Sequence, residues 1–132
     1  MTLWHLVISI GLIVMTSGCL SHPDAKEIPG TYLAEYNFGT DSLRLESDGT
    51  YVQEIRVKRR PDVLRASGTW KYDQVESRIN LSDAYSVQNR YSDEWDDRTV
   101  SNRGGASYTV ERYFFSRKLR FGPDDGHPHK KA

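Results

Sequence analysis

From Ile28 onward, apolar and polar residues alternate in short runs broken by Gly, Asp, Asn or Pro. Tyr32, Ala34 and Tyr36 share one parity, Leu43 and Leu45 form a second run, and Tyr51, Gln53, Ile55 and Val57 a third. Leu64, Ala66, Gly68, Trp70 and Tyr72 then fall on successive even positions. Ile79 with Leu81, Tyr85 with Val87, Tyr108 with Val110 and Leu119 with Phe121 complete the series. A period of two belongs to strands with one buried face. Short strands between regular turn signals predict an all-β, antiparallel sandwich or barrel. No helical stripe runs longer than two turns.

One turn is decided by parity. A two-residue loop at Asp48-Gly49 would set Leu45 opposite Val52 and split the apolar residues between the two faces. A three-residue loop, Ser47-Asp48-Gly49, pairs Leu45 with Tyr51 and keeps the apolar face together. That loop is a type I turn followed by a left-handed residue, which Gly49 adopts at little cost.

The start of the chain breaks the pattern. Leu6 to Met15 (LVISIGLIVM) is uncharged and apolar, and small residues follow at Thr16, Ser17 and Gly18. The run is too short to span a bilayer, which needs about 20 residues, but it suits the apolar region of a secretory signal. The segment before it carries His5 and no Lys or Arg. The chain's single cysteine, Cys19, comes next. One thiol makes no internal disulfide, so an exported chain needs another use for it.

Thr16-Ser17-Gly18-Cys19 resembles the lipobox of bacterial lipoproteins. The resemblance implies cleavage before Cys19, acylation of its sulfur and anchoring in the cell envelope, at the outer membrane if the source is Gram-negative. Lipid then holds the protein because each buried CH₂ contributes about 0.8 kcal/mol. An ordinary signal peptide, leaving a free thiol on a secreted protein, is the alternative. The expected organisation is a signal at 1–18, the lipidated cysteine and a polar tether at 19–27, a β-domain at 28–121, and a disordered tail at 122–132 rich in Gly, Pro and charge.

The stretches G-T-Y at 30–32, L-R-L-E-S-D-G-T-Y at 43–51, G-T-W at 68–70 and I-N-L at 79–81 resemble the lipocalin-like small barrels found among bacterial lipoproteins. The likeness covers about half of the chain and implies a lipocalin-like barrel or half-barrel. True lipocalins carry G-x-W on their first strand, where this chain has Gly30-Thr31-Tyr32.

Composition narrows the function classes. The formal net charge is zero, which gives no general attraction to nucleic acid. The histidines are His5, His22, His127 and His129, all placed by this reading in the signal, tether or tail. The β-domain is therefore expected to hold no histidine base and no cysteine nucleophile, and the protein is read as non-catalytic, with no cofactor and no metal. His127-Pro128-His129 supplies too few ligands for a first-row metal and is read as a polar terminus.

Two clusters stand out as weak binding candidates. Asp93-Glu94-Trp95-Asp96-Asp97 surrounds one aromatic with carboxylates. It is read as a solvated loop in preference to a calcium site, because it lacks the spacing and glycine of an EF-hand. Trp95 there has no alternating apolar neighbours, so it is expected to be exposed and to anchor a protein contact. Arg56, Lys58, Arg59, Arg60 and Arg65 surround Pro61-Asp62 and form a basic hairpin tip, read as solvated in preference to a contact with anionic head groups or a partner's carboxylates. Two functions follow as expectations: an anchored barrel that binds a small apolar or amphipathic ligand, or a protein-interaction lipoprotein that uses the Trp95 loop as sensor, inhibitor or assembly factor.

Overall fold

The alternating runs pair in sequence order, each strand beside the next, with short turns joining the first five strands and a long segment between the fifth and sixth. The structure is a computed structural model and describes residues 23–96, 98–113, 116–120 and 128–132. Strands β1 (Gly30–Tyr36), β2 (Gly39–Leu45), β3 (Thr50–Val57), β4 (Val63–Asp73), β5 (Arg78–Ala84), β6 (Gly104–Tyr113), β7 (Ser116–Arg120) and β8 (His129–Lys131) form a closed antiparallel barrel. The alternation predicts an antiparallel sandwich or barrel, and the barrel is the outcome, in the lipocalin-like meander that the resemblance implies.

The β2–β3 turn is the three-residue loop. Leu45 faces Tyr51, and Gly49 is left-handed at φ 88°. The Glu46 N–H donates to the Thr50 carbonyl at 2.8 Å, and Asp48 Oδ1 accepts from the Thr50 amide at 2.9 Å and from its hydroxyl. The even-numbered face of β4 also holds, with Ala66 buried and Trp70 and Tyr72 packed against the core. Gly68 stands where a Cβ would meet Ser82 Oγ at 2.4 Å and the Tyr51 ring at 3.1 Å, so its lack of a side chain lets Tyr51 lie across β4.

Three expectations are corrected. Tyr85 to Val87 is not a strand: the β5–β6 register shifts between Leu81 and Ala84, and Val87 makes only an isolated bridge to Val100. The tether is ordered from residue 23. Asp24 caps a 3₁₀ turn at Ala25–Glu27, Ile28 is fully buried, and the Tyr72 hydroxyl donates to the Pro23 carbonyl at 2.7 Å. The segment expected as a disordered tail contains a strand, since His129–Lys131 closes the barrel by pairing with both β1 and β7. Its composition hides this, since the closing strand needs only a few ladder bonds and one buried side chain. Phe121 lies outside the described residues, as do the signal segment and Cys19.

The interior has layers. A large apolar cluster around Tyr32, Leu43, Leu45, Tyr51, Ile79, Leu81 and Tyr108 fills the end where the chain enters. Its polar tips are satisfied by nearby backbone: the Tyr32 hydroxyl donates to the Ile28 carbonyl at 2.6 Å, and Trp70 Nε1 donates to the Glu46 carbonyl at 2.8 Å. A second, smaller cluster of Ala34, Tyr36, Phe38 and Val87 occupies the other end, with Trp95 and Val100 packed onto it.

Candidate functional site

Polar residues lie between the two clusters. On β2, Asp41 shares the inward parity of Leu43 and Leu45; on β3, Gln53 shares that of Tyr51 and Ile55. Both are fully buried, and His129 of β8 is 2% exposed. The register that pairs Leu33 with Lys130 brings Ala34 beside His129, and Ala34 also faces Asp41 across β1–β2. This small residue leaves room for the two side chains to meet above it. His129 Nε2 then lies 3.0 Å from Asp41 Oδ2.

Gln53 organises the layer. Its Nε2 donates to Asp41 Oδ1 and Oδ2 at 3.1 and 3.2 Å and to the Tyr85 carbonyl at 3.0 Å. Its Oε1 accepts from the Tyr85 amide at 2.8 Å. A side-chain amide thus makes the bonds of a neighbouring strand for a backbone that has left the sheet, which is why the chain departs at Tyr85. His129 is the exception to this satisfaction. Nε2 is close enough to Asp41 for an ion pair but off the line of an N–H bond, and neither ring nitrogen has a hydrogen-bond partner. The Tyr108 ring stands edge-on to the imidazole at a centroid distance of 5.5 Å.

Above this layer the barrel end is covered by a strap running from Tyr85 to Arg103. The strap bonds largely to itself: Gln88 N–H to the Thr99 carbonyl at 2.8 Å, Ser101 N–H to the Ser86 carbonyl at 2.9 Å, and Thr99 N–H to the Asp96 carbonyl at 3.0 Å. It meets the barrel at Gln53, at Asn37 Nδ2, which donates to Asp93 at 2.9 Å, at Trp95, whose ring lies 5.5 Å from that of Phe38, and through Val87 and Val100, which pack in the same cluster. Phe38 in turn stacks on Tyr36 at 5.0 Å. At the end of the strap, Arg103 pairs with Asp83.

The residues singled out by sequence take different places. Trp95 is not an exposed anchor; it is part of the second apolar cluster, because Phe38 supplies from the β1–β2 turn the neighbour that its own segment lacks. Asp96 Oδ1 accepts from the Arg98 amide at 2.8 Å and from the Thr99 hydroxyl, and so holds a turn. Glu94 is exposed, with its amide and carbonyl bonded to the Ser92 hydroxyl. Asp97 lies outside the described residues. Among the described residues no group of three or more His, Cys, Asp or Glu side chains is placed to hold a metal ion.

The basic tip lies at the strap end of the barrel, with the Lys58 amide donating to the Phe38 carbonyl at 2.8 Å. Arg56 and Arg65 both pair with Glu54 at 3.2 Å, while Lys58, Arg59 and Arg60 are exposed. Arg59 holds a left-handed backbone at φ 63°. The tip is therefore at the end of the barrel opposite the 3₁₀ turn at Ala25–Glu27.

The expectation that the β-domain holds no histidine is overturned by His129. Asp41 and Gln53 carried a signal, being polar residues at inward positions of apolar runs, and so called for a buried partner. His129 carried none, because its neighbours are prolines, glycines and charges and its strand is too short to show a period.

With this geometry the class is set: a closed eight-stranded antiparallel barrel with a strapped end and a buried Asp–Gln–His layer. Compared with protein-family models, curated proteins and solved structures, the chain matches none.

Proposed function

We propose that this is a non-catalytic lipoprotein of the cell envelope that holds a small apolar or amphipathic ligand beneath the strap. The observation that carries this reading is His129, a buried ring with neither nitrogen hydrogen-bonded, lying under the end of the barrel that a loop closes. A buried polar group without a partner opposes folding, and an interior built for stability alone would place an apolar side chain there. Eight-stranded barrels are either filled by their own side chains or hold one small ligand, and an unbonded buried imidazole favours the ligand. Tyr36, Phe38 and Trp95 would receive its apolar part.

The anchor fits the same arrangement. If Cys19 carries lipid, the segment from it to Pro23 spans at most about 14 Å when extended, which keeps the entry end near the bilayer and the strap facing away. The reading in which the loop around Trp95 recruits an envelope protein has less support, since Trp95 packs on Phe38.

The test is one mass measurement on the full-length protein extracted from membranes of the producing cell. The denatured mass should match the chain from Cys19 plus acyl groups, and the native mass should exceed it by a non-covalent ligand. Equal native and denatured masses would remove the carrier reading; an unmodified Cys19 would remove the anchor.

A further inference from the structure

We propose that the Asp41–Gln53–His129 layer is a recognition site for a neutral hydroxyl group, so that the ligand class is an amphipathic alcohol and not a fatty acid. This inference rests on the carrier reading above and adds the chemistry of the head group.

The argument begins with which atoms are already used. The Gln53 amide is spent on Tyr85 and on the Asp41 carboxylate. Asp41 takes those bonds and lies beside His129 Nε2. Neither imidazole nitrogen has a hydrogen-bond partner, and the Asp41 oxygens, which share one Gln53 amide group, keep lone pairs for a further donor. A ring nitrogen is a donor in one protonation state and an acceptor in another, and a hydroxyl satisfies either because it both donates and accepts.

A carboxylate fits worse. Its oxygens can only accept, so it could bond the ring in one protonation state alone and would set acceptor against acceptor beside the fully buried Asp41 oxygens. A pure hydrocarbon fits worse too, since it would leave the imidazole unpaired. The flanking groups suit an alkyl chain attached to the hydroxyl: Ala34 and Val87 are small or slender, and Tyr36, Phe38 and Trp95 form an apolar cluster with them beneath the strap.

Access is built into the same end. The strap's backbone bonds are mostly internal, so it can lift as a unit without unmaking barrel strands. Its ties to the barrel among the described residues include the Gln53 bonds, the Asn37–Asp93 bond and the packing of Val87, Trp95 and Val100 on the Ala34–Tyr36–Phe38 cluster, with Arg103–Asp83 at its foot.

The experiment titrates the full-length protein, solubilised from membranes and stripped of carried ligand, with 1-octanol, octanoate and octane at a pH where octanoate is ionised. Tryptophan fluorescence reports the strap, and native mass reports the adduct. Octanol should bind and should be held at least about tenfold more tightly than octanoate or octane. The His129→Gln variant, which keeps a side-chain amide donor near Asp41, should lose most of the preference for octanol over octane while its melting transition shows that it folds. Equal binding of all three probes would overturn the hydroxyl site and leave the carrier reading standing. Tighter binding of octanoate would overturn it in favour of an anion site. Binding of none of the three, together with equal native and denatured masses, would overturn both readings and leave the ring to bound water.

Discussion

At the scale of single residues, the Ser47–Gly49 loop shows how much one backbone angle decides. A Cβ added at Gly49 would have the Trp70 carbonyl, 4.0 Å away, as its nearest neighbour, so a larger side chain meets no clash at its first atom. The φ of 88° at Gly49 is nevertheless a conformation that a β-branched residue avoids. Gly49→Val is expected to lower stability by about 1–2 kcal/mol, measured by urea unfolding, with Gly49→Asn costing clearly less. Asp48 adds a pH effect in the same loop. Its bonds from the Thr50 hydroxyl and amide hold the carboxyl below its ordinary value of 3.8. A depressed carboxyl stabilises the fold above its unfolded pKa, and that contribution is lost as pH falls through the folded value. Unfolding followed between about pH 5 and pH 2 should therefore show a steeper loss for the wild type than for Asp48→Asn.

At the scale of elements, the strap and the closing strand are the two pieces whose roles differ from what their composition implies. Charge and length make the strap look like a solvated loop. Trp95, however, is half-buried against Phe38 and joins the Ala34–Tyr36–Val87 cluster. Trp95→Ala is expected to cost about 2 kcal/mol, roughly half the penalty for a fully buried tryptophan, and to lower the thermal midpoint. An unchanged midpoint would return Trp95 to the surface. The legibility of elements followed their periodicity. β1, β3, β4 and β5 alternate over enough residues to show the inner face, and the parity of β2 emerges once Leu45 is set opposite Tyr51. The Tyr85–Val87 run alternates too, yet it leaves the sheet because Gln53 captures the Tyr85 backbone from across the lumen.

At the scale of the whole molecule, closure depends on a strand near the end of the chain meeting the first. Lys131 Nζ donates to the Glu27 carbonyl at 3.0 Å, and the Ala132 amide donates to the Thr31 carbonyl at 2.8 Å, so both ends of the described chain are tied at one seam. Within the barrel the Asp41–His129 pair joins β2 to β8 across β1. His129→Ala should cost about 3 kcal/mol, because it leaves a buried carboxylate with only the Gln53 amide for company. The double variant Asp41→Leu/His129→Phe should cost less than the sum of its single changes, read from a denaturation cycle. Additivity would mean that the two side chains do not interact.

The sequence by itself determined the all-β class, the inner faces of the long strands and the register of the β2–β3 turn, since these follow from side-chain parity and from one glycine. It also supplied the apolar N-terminal run and the setting of Cys19, from which the anchor is proposed. Only the tertiary structure decided that residues 129–131 close the barrel, that Trp95 is a packed residue and that Asp41, Gln53 and His129 form one buried layer. Those facts depend on contacts between residues far apart in the chain: Gln53 and Tyr85, Phe38 and Trp95, Asp41 and His129. Local alternation describes which way a side chain points, but not which distant residue is waiting on the other side of the lumen.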